Sequence, residues 1–123
     1  MVSPHSRDHR QALLSILRAG LDEVHGRERV RQWLQLNHLP GPAWVVAIGK
    51  AASAMAAGAQ DMLGSRLQRG LLVTKRGYLT DTGVNNEQFS CNESGHPLPD
   101  QASLLPGRQL VQFLQEAPAA AHF

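Results

Sequence analysis

The sequence predicts an α/β domain, a parallel sheet with helices on its faces. Two observations carry this. The segments at residues 44–48 and 70–74 are short and apolar on both faces, as central parallel strands need. Stretches of helical periodicity alternate with them, and a strand, helix, strand order implies parallel pairing through a crossover.

The elements follow in order. Leu13, Leu14, Ile16, Leu17, Leu21 and Val24 recur at helical spacing and predict a helix over about residues 5–24, stopped by Gly26. A shorter helix over about residues 27–36 places Val30, Trp33 and Leu34 on one side. Residues 37–42 (Asn-His-Leu-Pro-Gly-Pro) form a turn that stops a helix and launches a strand. After the strand at residues 44–48, a helix is expected from Lys50 to Leu63, its many alanines allowing close approach to a sheet. The strand at residues 70–74 is closed by Lys75, Arg76 and Gly77, and a polar loop covers residues 79–87. Residues 88–93 read as a third strand, ending in Ser94-Gly-His-Pro-Leu-Pro-Asp100, and a last helix spans about residues 101–116. Asp100 suits the N-cap of that helix. The Ala-rich tail lacks an apolar run for a further strand, so the sheet is expected to be cut short, since an open sheet commonly has five or six strands. The expected organisation is leading helices over 1–42, a Rossmann-like three-layer α/β part over 43–117, a tail over 118–123, and no second domain.

Composition narrows the function classes. The chain has 123 residues, 42% hydrophobic and 18% charged, which suits one folded domain rather than a disordered segment. Twelve basic and ten acidic residues are scattered, and three Phe and one Tyr leave little for base stacking. Nucleic-acid binding is not expected. The polar N-terminus is unlike a signal peptide, and the longest apolar run is too short to span a bilayer. Cys91 stands alone, so a reducing, cytoplasmic setting is expected with neither an intrachain disulfide nor a membrane anchor. Inside a strand, Cys91 is expected to be a buried, inert thiol.

The stretch from Trp44 to Ser53 (Trp-Val-Val-Ala-Ile-Gly-Lys-Ala-Ala-Ser) carries the first candidate site. A strand ends on Gly49, and Lys50 opens the next helix. A lysine against the positive end of the helix dipole costs a few tenths of a kcal/mol up to about 1. Free amides at the same place attract anions, so a phosphate or a carboxylate answers both. Neither the Gly-x-x-x-x-Gly-Lys-Ser/Thr loop nor Gly-x-Gly-x-x-Gly is present. What remains is a ligand at the carboxyl end of a strand, where open α/β sheets place their sites. Ser53, one turn on, offers a hydroxyl or a small packing surface. The second candidate is the Ser94–Asp100 stretch. Gly95 permits close backbone approach, and two prolines stiffen the chain around His96, which reads either as a ligand-positioning imidazole or as a turn histidine. Lys75 and Arg76 add positive charge at the same sheet edge or form a solvated loop. His5 and His9 are four apart, but no further His or Cys is near in sequence, so no metal site is expected there.

Three blocks together resemble the glycerate 2-kinases of the MOFRL family, some members of which are labelled hydroxypyruvate reductases. They are Val46-Ala-Ile-Gly-Lys-Ala-Ala-Ser-Ala-Met55, Gly70-Leu-Leu-Val-Thr-Lys75 with Gly77, and Glu93-Ser-Gly-His-Pro-Leu-Pro-Asp100. The resemblance runs to about Glu116 and implies the N-terminal portion of such a kinase. It implies transfer of a phosphoryl group from ATP, with Mg2+, to the 2-hydroxyl of D-glycerate. Lys50 would be the cation at the phosphoryl group or the glycerate carboxylate, and Gly49, Ser53, Gly95 and His96 would line the cleft. The resemblance further implies that the second half of the cleft is missing, so this short chain alone is expected to be inactive. Pro106 departs from a regular last helix and is expected to kink it or delay its start. Tyr78 stands where the family commonly has histidine. Two other readings remain: a noncatalytic module that binds an anion or a partner, with self-association through an exposed sheet edge, and a nicotinamide-dependent hydroxypyruvate reductase.

Overall fold

The computed structural model of the chain describes residues 4–79, 83–95 and 98–123. Helices α1 (Pro4–Glu23) and α2 (Gly26–Leu36) precede strand β1 (Ala43–Ile48), helix α3 (Ala52–Leu63), strand β2 (Leu67–Lys75), strand β3 (Phe89–Ser94) and helix α4 (Gln101–Glu116). The three strands form one parallel sheet in the order β1-β2-β3, as the apolar runs predict. β2 is longer than its apolar run: polar Gln68 and Arg69 extend the ladder toward its N-terminal end, with an irregularity between Ala43 and Trp44 where Gln68 is passed over. Gln68 accepts the Trp44 indole N–H at 3.2 Å.

Alternation sorts the side chains onto two faces. Ala43, Ala47, Leu72 and Phe89 face α3, where Ala52, Ala56, Ala59 and Leu63 close the core. Trp44, Leu71 and Val73 face the other way and meet Phe113 of α4, whose ring lies 4.8 Å from that of Trp44. The result is a three-layer α/β/α arrangement. Helix α2 lies over α3, and glycines allow it to come close. A Cβ on Gly58 would stand 2.4 Å from the Arg27 carbonyl oxygen, and one on Gly26 would stand 2.8 Å from Cγ of Met55. The bidentate pair of Arg27 with Asp61, at 2.7 and 2.9 Å, ties the same two helices.

Three outcomes differ from the sequence expectations. Helix α3 begins at Ala52, not Lys50, because Gly49 adopts φ 116° and Ala51 takes the cap position with φ −88° and ψ 3°. Lys50 therefore belongs to the turn. Of the two effects expected of Pro106, a kink or a delayed start, the delay does not occur: helix α4 starts at Gln101 and carries the buried proline inside it. The Asp100 cap fixes that start, its N–H donating to Ser103 Oγ at 3.2 Å while the Ser103 N–H donates to the Asp100 carbonyl at 2.9 Å. Third, the tail returns to the sheet. His122 forms a parallel bridge with Ala43: the Trp44 N–H donates to its carbonyl at 2.9 Å, and its own N–H donates to the Pro42 carbonyl at 3.3 Å.

Candidate functional site

Because all three strands are parallel, their C-terminal ends open on one edge of the sheet, and the chain turns from each end into the next element. At the end of β1 the Gly49 N–H continues the ladder by donating to the Val73 carbonyl at 2.9 Å. The Gly49 carbonyl then accepts from the Ala52 N–H at 3.2 Å, closing a tight turn. A positive φ is strained for any residue but glycine, and nothing lies within 4 Å of where a Cβ would stand on Gly49. The turn presents Lys50 to solvent. Helix α3 has no side-chain cap on Ala51. Among the described residues the Ser53 and Ala54 N–H groups have no hydrogen-bond partner. Two free amides, the positive end of a helix and a lysine thus converge on one turn.

The ends of β2 and β3 are more fully engaged. Lys75 Nζ stands 4.7 Å over the Tyr78 ring. Arg76 pairs with Asp100 at 3.5 Å, and its N–H donates to the Ser94 carbonyl at 3.2 Å. The Gly77 N–H donates to Glu93 Oε1 at 2.9 Å. Of Lys50, Lys75 and Arg76, only Lys50 has no partner among the described residues. Ser53 is half-buried, and its hydroxyl donates to the Tyr78 carbonyl at 3.4 Å, joining the first turn of α3 to the loop after β2. Ser53 therefore offers an anion its amide more readily than its hydroxyl.

Gly49 and Lys50 lie in this turn, and Ser53 lies in the first turn of α3 that follows it. Gly95 lies two strands away at the end of β3, where a Cβ would stand 2.7 Å from the Asp100 carboxylate. The space that glycine leaves is filled by the cap of α4. His96 lies outside the described residues, and so does Pro97. Sequence reasoning missed Glu93 and the Arg76–Asp100 pair, which tie the strand ends together. It also missed Thr74, which is 2% exposed on the central strand with a buried hydroxyl that has no hydrogen-bond partner. A polar residue inside an otherwise apolar strand run was the available signal. Cys91 is half-buried rather than buried, and desolvation pushes its thiol up, which keeps it protonated and unreactive.

The turn fits a phosphate or carboxylate, by its free amides and its unpaired cation. The carboxylates beside it do not fit a magnesium ion: Glu93 is taken by the Gly77 amide and Asp100 by Arg76, and no cluster of three His, Cys, Asp or Glu side chains is found among the described residues. A separate apolar groove of about 530 Å³ runs along the outer side of β1, lined by Val30, Trp33, Leu34, Val45, Met55 and Phe123 among others. Its lining contains no Lys, Arg, Asp or Glu, so the concavity and the charge lie in different places. Among the described residues no helix is long and apolar enough to cross a membrane.

The model of the family described as Domain of unknown function (DUF4147) matches residues 12–123. A glycerate 2-kinase of Pyrococcus horikoshii is 35% identical over 79 residues, which make up 64% of this chain and 17% of that protein. A D-glycerate 2-kinase of Thermotoga maritima is 33% identical over 72 residues, 58% of this chain and 16% of that protein. Among solved structures, glycerate kinase from Thermotoga maritima matches with a TM-score of 0.75 and 27% identity, over 90% of this chain and 26% of that one. A Pyrococcus horikoshii structure matches with a TM-score of 0.52 and 36% identity, over 63% of this chain and 16% of that one. The chain spans about a sixth of the length of the curated relatives it matches.

Proposed function

This chain belongs to the DUF4147 family and resembles the N-terminal portion of a glycerate 2-kinase, and on that premise we propose that it forms one wall of a site for phosphorylating D-glycerate. Lys50 and the amides of Ser53 and Ala54 hold an anionic group there, either a phosphate of ATP or the glycerate carboxylate. Gly49 keeps the backbone open to that group. The family resemblance implies that Gly95 and His96 would line the same cleft. When bound, ATP supplies the phosphoryl group. This wall supplies position and positive charge, which are most of what such a transfer asks of a protein. Ligands for magnesium come from outside the described residues, and so does the opposite wall.

The observation that carries this reading is the unpaired Lys50 beside two free amides at a strand end, in a family whose matched relatives are named glycerate kinases. It is tested by melting the chain at low salt with and without inorganic phosphate, D-glycerate or ATP. At least one of the three is expected to raise the melting temperature, and Lys50→Ala to weaken that ligand about tenfold, the equivalent of roughly 1.4 kcal/mol. Equal shifts in both proteins, or none in either, would sink it. The chain by itself is expected to produce no phosphoglycerate.

A further inference from the structure

At the opposite end of the sheet from Lys50, where β2 and β3 begin, a second cavity lies between the strands and α4. Arg69, Leu71 and Ser90 reach it from the sheet, and Gln109, Phe113 and Glu116 from one face of the helix, at i, i+4 and i+7. Its volume is about 160 Å³, several times the roughly 30 Å³ that a water molecule occupies. Two of its polar groups have unused capacity. The Arg69 guanidinium lies 5.0 Å over the Trp44 ring and 5.6 Å over that of Phe113, and its Nη1 donates to Glu116 Oε2. Its Nε and Nη2 make no hydrogen bond among the described residues. Glu116 is fully engaged, since its other oxygen accepts from Gln112 Nε2 at 2.8 Å. In the same cavity wall, Gln109 holds a buried Oε1 that has no donor among the described residues. A buried amide oxygen without a donor has lost water and gained no partner in exchange.

We propose that this cavity binds a small zwitterion, an α-amino acid with a short side chain, at a site separate from the Lys50 turn. The charge balance sets the class. Of the residues that line the cavity, Arg69 and Glu116 carry opposite charges that cancel, so a ligand bearing both charges adds no net charge to the site. Hydrogen bonds from Arg69 and Gln112 hold the Glu116 carboxyl below its ordinary value of 4.5, so it is charged near neutrality. The free edge of the guanidinium suits a carboxylate, whose two oxygens match the Nε and Nη2 fork. The orphaned Gln109 oxygen suits an ammonium group, which the Glu116 charge also favours. Leu71 and Phe113 add apolar surface, and the volume leaves room for a short side chain only. An α-hydroxy acid presents the same carboxylate and a neutral donor, but it brings an uncompensated negative charge beside Glu116. The site goes beyond the glycerate kinase reading and does not rest on it.

The test titrates the isotope-labelled chain with L-alanine, L-lactate, propionate and ethylamine, following the Gln109 side-chain amide and the Trp44 indole N–H by NMR. L-alanine is expected to shift both signals saturably. Lactate has a hydroxyl in place of the ammonium, and propionate and ethylamine each keep one of the two groups. All three are expected to bind about tenfold more weakly or worse. Gln109→Leu removes the orphaned oxygen, so it is expected to leave the melting temperature unchanged or raised while it weakens L-alanine about tenfold, read at Trp44. Arg69→Lys keeps the charge and loses the fork, and it is expected to weaken L-alanine to a similar degree. It decides the matter alone should Gln109→Leu not fold. Gln109→Glu restores an acceptor and is expected to retain binding. Lys50→Ala is expected to leave the L-alanine titration unchanged, so this site and the anion-binding turn stand or fall separately. No saturable shift with L-alanine, an affinity indifferent to both Gln109→Leu and Arg69→Lys, or lactate binding as tightly as L-alanine would overturn the proposal.

Discussion

At the scale of single residues, Lys50 and Thr74 both sit where local energetics argue against them. Lys50 stands at the positive end of α3 without an anionic partner among the described residues, so Lys50→Ala is expected to leave thermal stability unchanged or slightly raised while it weakens anion binding. A structural lysine would behave in the opposite way. Thr74 buries a hydroxyl that has no hydrogen-bond partner. Leaving such a group unpaired costs about 1–3 kcal/mol. Thr74→Val keeps the shape and removes the orphan, so it is expected to stabilise the chain by about 1 kcal/mol, read as a higher urea midpoint at unchanged slope. An unchanged or lower midpoint would mean that the hydroxyl finds a partner in solution.

At the scale of elements, close approach and ion pairing hold the layers together. The Phe89 ring lies across β2 at Gly70, where a Cβ would stand 2.2 Å from Cε1 of the ring. Gly70→Ala must push that ring out of the core and is expected to cost about 2–3 kcal/mol in urea unfolding, within the range for overpacking. Adding Phe89→Leu should return part of this loss. The α2–α3 clamp yields a dependence on pH. The hydrogen bond from the Arg27 guanidinium holds the Asp61 carboxyl below its ordinary value of 3.8, with the arginine's charge acting in the same direction. A depressed folded value means that the clamp's contribution is fully present above that ordinary value and is lost as pH falls through the folded one. The melting temperatures of the native chain and Arg27→Ala should therefore converge below about pH 4, and their gap near neutrality should narrow in high salt, since the pair is solvent-exposed. A gap that stays constant through acid would assign the effect to packing of the arginine stem.

At the scale of the whole molecule, apolar surface is unevenly covered. The sheet core is closed on both faces, while one stripe of α1 stays open: Leu13, Ile16, Leu17 and Leu21, with Val24 just past the end of the helix, are each more than half exposed. Together with the groove beside β1, this explains why the site is a wall and not a pocket. The charge that would bind an anion faces solvent at one sheet edge, and the concavity that would exclude water lies along a different side. Charge without enclosure works in high dielectric, where it contributes little. The expected absence of turnover by the chain alone belongs to this scale.

Sequence alone determined the parallel α/β layering, because runs apolar on both faces suit strands covered by helices on either side, and β1, β2 and β3 obey that rule. It also located the Asp100 cap, since helix starts are marked by local residue types. The three-dimensional fold decided what depends on contacts between distant segments. Ala51 rather than Lys50 takes the cap of α3 because the Gly49 turn is tied to Val73 of the neighbouring strand. Gly95 is a glycine because a carboxylate five residues on fills its space. Lys75 and Arg76 are spoken for by Tyr78 and Asp100, leaving Lys50 the free cation among the three. The tail carries no strand pattern of its own and still bridges to Ala43, because an open ladder supplies hydrogen-bond partners that periodicity does not reveal.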